Sequence, residues 1–221
     1  MEKNEKKEKN GSLLKDQIHK YVTRHVQDGV FKPGSKLNEE TISAALNVSR
    51  TPVREVLTQL ASEGYLEKLP RVGFFVREWS TEEKRETYEV IGALDFLCAK
   101  KALPYLDEQD FKAMRESIAK MALAIEFQNY ADYVKNQFLF HSVYIEKCHN
   151  KTLIKTIDHL RNSPMPVTYS SEASDATVLF ALFASNNEQH KEILDALIAG
   201  DLELLETRIL NHWNEYTAHY L

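Results

Sequence analysis

This chain of 221 residues has little of what marks several large classes of protein: two cysteines, seven glycines, six prolines and no long apolar run. A bilayer-spanning helix needs about 20 consecutive apolar residues, and no segment approaches that length. Cys98 and Cys148 lack metal-type spacing and each lies in an apolar helical context, so both are expected to be reduced and structural. The glycines build no loop of the kind that cradles phosphates, and no internal repeat is present. Positive charge is also short, with 28 Lys+Arg against 33 Asp+Glu and a formal net charge of −5. That balance excludes diffuse coating of nucleic acid, because non-specific affinity scales with the number of phosphates neutralised. The first ten residues are mostly Lys and Glu with no apolar run behind them. They are expected to form a disordered tail without a signal peptide, and the protein is expected in the cytoplasm.

The charge that is present is unevenly placed. Residues 1–80 hold 14 Lys+Arg against 11 Asp+Glu, whereas residues 81–221 hold 14 against 22. The basic excess coincides with the most informative stretch, residues 37–76. Glu39 to Leu46 carries Ile42, Ala45 and Leu46 at helical spacing, Asn47-Val48 breaks the pattern, and Ser49 is placed to cap a second helix running to about Glu63. In that second helix Val53, Val56, Leu57 and Leu60 make a stripe that packs on the first. Ser49, Arg50, Thr51 and Arg54 point outward. Pro52 is tolerated in a first helical turn, where its missing N–H has no internal partner. Tyr65 to Lys68 and Gly73 to Arg77 then read as two strands of a hairpin whose tip is Pro70-Arg71-Val72-Gly73.

Helix, turn, capped helix and hairpin in this order describe a winged helix-turn-helix. Arg donates two parallel hydrogen bonds to guanine O6 and N7 or clamps a phosphate, and Thr bonds a phosphate or touches a thymine methyl. Arg50 and Arg54, four residues apart, share one face. Arg71 and Gly73 would bring a cation and bare backbone to an adjacent minor groove or its phosphates. The competing reading is a small helical domain with solvated arginines.

After Arg77-Glu78-Trp79-Ser80 the pattern is helical nearly to the end. Ser80 or Thr81 caps a helix to Leu103, followed by Asp107 to Asn129, Asn129 to Cys148 and Lys151 to Arg161. Residues 162–177, with Pro164 and Pro166, form the longest irregular stretch. Val178 to Ser185, Glu188 to Ile198 and Leu202 to Tyr220 complete an all-α bundle of six or seven helices. The fold expected is therefore mainly α: a tail at 1–10, a winged helix-turn-helix at 11–79 and a helical domain at 80–221.

Histidines carry the only chemical constellation in the second domain. His141 follows Gln137 by one turn, so the two project from one face. His190 follows Ser185-Asn186-Asn187-Glu188, a capping-box pattern that would place it near the start of a helix. His212 lies on the last helix. Three imidazoles from three helices can converge inside a bundle, although a lone helical His is more often partly exposed or hydrogen-bonded than a ligand.

The stretch PGSKLNEETISAALNVSRTPVREVLTQLASEGYLE resembles the GntR family of bacterial transcription regulators, most closely in VSRTPVREVL and EGYLE. The second half, with FLFHSVYIEKCHNKTLI and EQHKEILDALIAGDLELLETRILNHW, resembles the FCD ligand-binding domain of that family's FadR-type branch. The resemblance implies that Arg50, Thr51 and Arg54 face the DNA groove and that Gly73 sits at the wing tip. It further implies a divalent metal at His141, His190 and His212, on the floor of an effector cavity: either Zn²⁺ or Ni²⁺ is held by the three imidazoles, or the pocket is metal-free and Gln137 with the histidines hydrogen-bonds the effector directly; Gln137 and Arg161 are the candidate effector contacts. Tyr88, Asp95, Phe138, Tyr144 and Tyr169 are looser lining candidates. A homodimer on a pseudo-palindromic operator, governed by a small metabolite such as an organic acid, is the function implied.

Three departures from the family pattern stand out. Glu40 occupies a place where many relatives have an Arg, so it either points elsewhere or reduces the contacts to DNA. Gln137 replaces the carboxylate that relatives add to the three histidines, and a neutral amide is a weaker donor. Ile91 follows Tyr88-Glu89-Val90 where relatives often have a cavity-facing Arg; alternatively Ile91 is core, with Val90, Leu94 and Leu97. Other functions compete with the metabolite-controlled regulator. In one the bound ion is itself the signal. A metal-dependent hydrolase lacks a general base at a demanding spacing, since Gln137 takes no proton and Glu146 or Glu192 has no such place. A bare helical scaffold would leave the wing without a use.

Overall fold

The computed structural model describes residues 2–27, 29–161 and 176–219. Tyr169 and residues 162–175 of the expected irregular stretch lie outside these, and Ala176 and Thr177 already belong to a helix. The chain divides into two compact units, one ending at Trp79 and the other beginning at Ser80.

The first unit opens with α1 (Glu2–Gln27), which runs through the segment expected to be a disordered tail. Lys and Glu are good helix formers, and propensity continuous with an amphipathic segment explains the difference. Strand β1 (Lys36–Leu37) precedes α2 (Glu39–Leu46), the turn, α3 (Arg50–Ser62), β2 (Leu66–Leu69) and β3 (Gly73–Val76). The wing is a three-stranded antiparallel sheet ordered β1-β3-β2, with Leu37 opposite Phe74 and Lys68 opposite Phe74 on the other side. Both wing strands start or end one residue from where the sequence suggests, and the two-residue β1 is too short to leave a period in the sequence. Asn38 caps α2, accepting from the N–H of Glu40 at 2.8 Å, and Asn47 ends it with φ 52. Asn is one of the few residues that takes this left-handed backbone readily. Ile18 and Val22 of α1 join Ile42, Val53, Val56, Leu57, Leu60, Phe74 and Val76 in one core. Each such side chain contributes about 1.5–3 kcal/mol by leaving water.

The second unit contains α4 (Thr81–Ala102), a 3₁₀ turn at Leu103–Tyr105, α5 (Glu108–Glu126), α6 (Tyr130–Lys147), α7 (Lys151–Arg161), α8 (Ala176–Ala199) and α9 (Leu202–His219). Ser80 and Glu83 close a capping box at the start of α4, and Asn129 caps α6 by accepting from the N–H of Asp132. The expected break between Ser185 and Glu188 does not occur. The segment is the interior of α8, where Asn186 and Asn187 are buried, so the capping-box pattern is overridden by packing. The expected core stripe on α4 is also rotated: Val90 and Leu97 are exposed, whereas Tyr88, Ile91, Gly92, Asp95, Cys98, Ala99 and Ala102 face inward. Ile91 is core, as one of its two readings held. Both cysteines are free and buried.

Candidate nucleic-acid interface and buried histidine centre

The outer face of α3 is the first candidate site. Val53, Val56, Leu57 and Leu60 are buried, which turns Arg50, Thr51 and Arg54 to solvent, where they line a groove of about 800 Å³ with Lys15, Glu55 and Thr58. Ser49 occupies the N-cap position with extended backbone, but its hydroxyl makes no capping hydrogen bond, in contrast to the expectation. Lys15, from α1, is ion-paired with Glu55 at 2.8 Å. Sequence reasoning missed it because α1 lies outside the helix-turn-helix pattern.

Two acids of α2 meet the two arginines. Glu39 accepts from Arg54 Nε through both oxygens at 3.1 Å, and Glu40 is ion-paired with Arg50. Glu40 therefore points at α3. At the wing tip Arg71 adopts φ 63 and Gly73 φ 129, and a Cβ on Gly73 would lie 3.3 Å from Lys36 Cε. Gly is the residue that takes such a backbone without steric cost.

The second site is built inside the helical unit. His141 of α6, His190 of α8 and His212 of α9 are all buried, and each offers a ring nitrogen within 4.8 Å of the other two. Nε2 of His141 lies 3.3 Å from Nε2 of His190. His190 stands in the middle of α8 rather than near a helix start. His212 Nδ1 meets Gln189 Oε1 at 2.9 Å; an amide oxygen only accepts, so this nitrogen carries the proton and the lone pair is on Nε2. Burial, followed by the neighbouring imidazoles, pushes His190 well below its ordinary range, and burial with His141 beside it pushes His212 down to about 3. Burial also lowers His141, against the pull of Asp95. Three neutral imidazoles result, the form in which histidine ligates a metal.

The donor set fits a divalent ion of the softer kind. Two nitrogens bound tetrahedrally at about 2.0–2.1 Å stand roughly 3.3 Å apart, which matches the His141–His190 separation. Gln137 sits half-buried on α6, one turn before His141. A carboxylate that the sequence placed only among loose lining candidates is a direct partner: Asp95, fully buried on α4, lies with Oδ2 3.0 Å from His141 Nδ1. The same oxygen accepts from Tyr144 Oη at 2.8 Å and Trp213 Nε1 at 2.9 Å. Burial opposes its ionisation, but His141, Arg161 and Trp213 together hold its carboxyl below the usual carboxylate range. A signal for Asp95 existed in the sequence, a lone acid in step with Ile91, Cys98 and Ala102. Trp213 left none.

The remaining candidates are distributed around this centre. Tyr88 stacks on Trp213 with ring centroids 5.9 Å apart. Arg161 donates from Nη2 to the carbonyl of Phe138 at 2.9 Å and lies over the Phe138 ring at 4.3 Å, while its Nη1 is buried without a hydrogen-bond partner.

Comparison with known proteins agrees with both halves. Residues 14–76 match the model of "Bacterial regulatory proteins, gntR family" and residues 86–215 match "FCD domain". The chain is 25% identical over 204 residues to the HTH-type transcriptional repressor RspR of Escherichia coli, covering 91% of this chain and 86% of that protein. It is 26% identical over 211 residues to the "Probable D-xylose utilization operon transcriptional repressor" of Paenarthrobacter nicotinovorans, covering 94% and 90%. Among solved structures, E. coli McbR/YncC shares the fold with a TM-score of 0.77 at 24% identity, covering 94% of this chain and 96% of that one.

Proposed function

We propose that this chain, which belongs to the GntR family of bacterial transcription regulators and carries an FCD domain, holds a pseudo-palindromic operator as a homodimer and answers to a small polar metabolite bound at the histidine centre. The observation that carries the DNA half is the open groove at the start of α3, lined by Arg50, Thr51, Arg54 and Lys15. Guanidinium forks there suit guanine edges, Thr51 and Lys15 suit phosphates, and Arg71 with Gly73 suits the flanking minor groove. Footprinting of the DNA upstream of the chain's own gene tests this. Protection of two half-sites about one helical turn apart, lost in Arg50→Ala, is expected; unchanged protection in that variant refutes the reading-helix assignment.

The effector half rests on the chemistry of the centre. His141, His190 and His212 would hold Zn²⁺ or Ni²⁺, and a bound ion would offer open positions to a carboxylate or hydroxyl of the metabolite. Gln137 and Arg161 would add a neutral and a cationic contact. The relative named for a D-xylose utilization operon favours a sugar or sugar acid. The reading in which the ion alone is the signal draws no such support. Effector binding shifts operator affinity only by its differential affinity for the two arrangements of the dimer. A thermal-shift screen of sugar acids, followed by operator release, identifies the metabolite.

A further inference from the structure

We infer that Asp95 is the outer carboxylate of the histidine centre, a positioning residue that locks His141 with its proton on Nδ1 and supplies, one shell away, the negative charge that Gln137 lacks. This rests on the reading of the three histidines as a metal site. Trp213 Nε1 can only donate, and it donates to Asp95 Oδ2 at 2.9 Å. Tyr144 donates to the same oxygen at 2.8 Å, so its own oxygen, 2.6 Å from His141 Nδ1, is left to accept. His141 Nδ1 thus faces two acceptors, Asp95 Oδ2 at 3.0 Å and the phenol oxygen, and must carry the proton. Its Nε2 then presents a lone pair toward His190 Nε2, 3.3 Å away. His212, with Nδ1 on Gln189 Oε1, is turned in the same sense.

The charge balance points the same way. Asp95 has no exposed surface, and its second oxygen, Oδ1, is buried without a hydrogen-bond partner. Arg161 acts on it through space, but its guanidinium is engaged with Phe138 and the two form no ion pair within 4.0 Å among the described residues. A buried carboxylate answered mainly by neutral donors is costly, and a divalent ion one imidazole away would offset that cost. Packing is close at this contact: a Cβ on Gly92 would lie 3.2 Å from Trp213 Cβ, so a side chain there would crowd the residue whose indole reaches Asp95. Outer carboxylates of this kind raise ligand basicity and fix ring orientation, and their loss typically weakens metal binding 10- to 100-fold.

The test uses the full-length protein without a histidine tag. Zn²⁺ and Ni²⁺ are titrated into chelator-treated wild type, Asp95→Asn and Trp213→Phe, and long-range ¹H–¹⁵N spectra of the imidazoles are recorded on each without metal. Wild type should show His141 protonated on Nδ1. Asp95→Asn, whose amide oxygen takes the place of Oδ2 to satisfy Trp213 Nε1, should keep that proton on Nδ1 but, with the negative charge gone, lose about 10- to 100-fold in affinity. Trp213→Phe, which keeps the carboxylate, should keep the tautomer. Equal metal affinity in wild type and Asp95→Asn overturns the role of Asp95 while leaving the metal site standing. Absence of uptake by wild type overturns both. If Asp95→Asn does not fold, the wild-type spectrum still decides, since a proton on Nε2 of His141 sinks the inference.

Discussion

Glu40 pairs with Arg50 across the turn of the helix-turn-helix, so the residue expected to lead into the DNA groove is held by an acid of the preceding helix. Both side chains are 62% exposed. An exposed pair of this kind is worth roughly 0–1 kcal/mol, small enough to be exchanged for a phosphate or a guanine edge. Its consequence is selectivity. With Arg50 at a DNA groove, a non-operator duplex, which offers it mainly phosphates, would have to compete with Glu40 for it. Substituting Glu40→Gln should therefore tighten binding to non-operator DNA, by up to about fivefold at low salt given that energy. Fluorescence anisotropy on a random duplex measures it, and unchanged or weaker binding would show that the pair does not restrain Arg50.

Lys15 belongs to α1 but lines the same groove as Arg50 and Arg54. A lysine there is a point charge suited to phosphate. Lys15→Ala should weaken operator and non-operator DNA alike and reduce the salt slope by about one. Arg50→Ala should instead cost about 1–3 kcal/mol on the operator and relax base preference. Parallel titrations across salt concentrations separate the two patterns; a specificity change in the lysine variant would place it at a base edge.

Gln137→Asp tests the unusual position on α6. A carboxylate one turn before His141 adds a charged donor to three neutral ones. Metal affinity should rise about tenfold or more, in keeping with the preference of divalent ions for anionic ligands. Competition with a chromophoric chelator reads this directly, and equal affinity in the two proteins would place Gln137 outside the centre.

Acid should destabilise the metal-free protein before any carboxylate titrates. His212 stays unprotonated in the folded state down to about 3, and His190 is also well depressed, whereas both take up protons near 6.5 once unfolded. Between these values the unfolded chain binds more protons, so unfolding becomes easier as pH falls. The loss should be about 1 kcal/mol per histidine between pH 6.5 and 5.5. Asp95, depressed in the fold, adds its own loss only at lower pH, as its carboxyl becomes protonated. Urea melts of chelator-treated protein at pH 7.5, 6.5 and 5.5 provide the measurement. Flat stability over that range would mean the histidines reach solvent, and added Zn²⁺ should restore stability at pH 6.5 by mass action.

Local spacing carried a large share of this protein's organisation. The apolar stripe Val53, Val56, Leu57, Leu60 fixed which face of α3 is buried, hence that Arg50, Thr51 and Arg54 face outward, because helical period alone sets side-chain direction. Asn47 and Ser80 marked helix ends by backbone and capping chemistry that operates within four residues. The same local rules failed at Ser185–Glu188, where burial of Asn186 and Asn187 keeps α8 continuous, and on α4, where the inward face is set by α9 and α6 rather than by the most apolar residues. Only tertiary structure brought Asp95 to His141 across 46 positions and to Trp213 across 118. It likewise turned Glu39 onto Arg54 and Glu40 onto Arg50. Such contacts depend on how helices dock, and docking is decided by the summed packing of whole faces, so no short pattern of residue types records it.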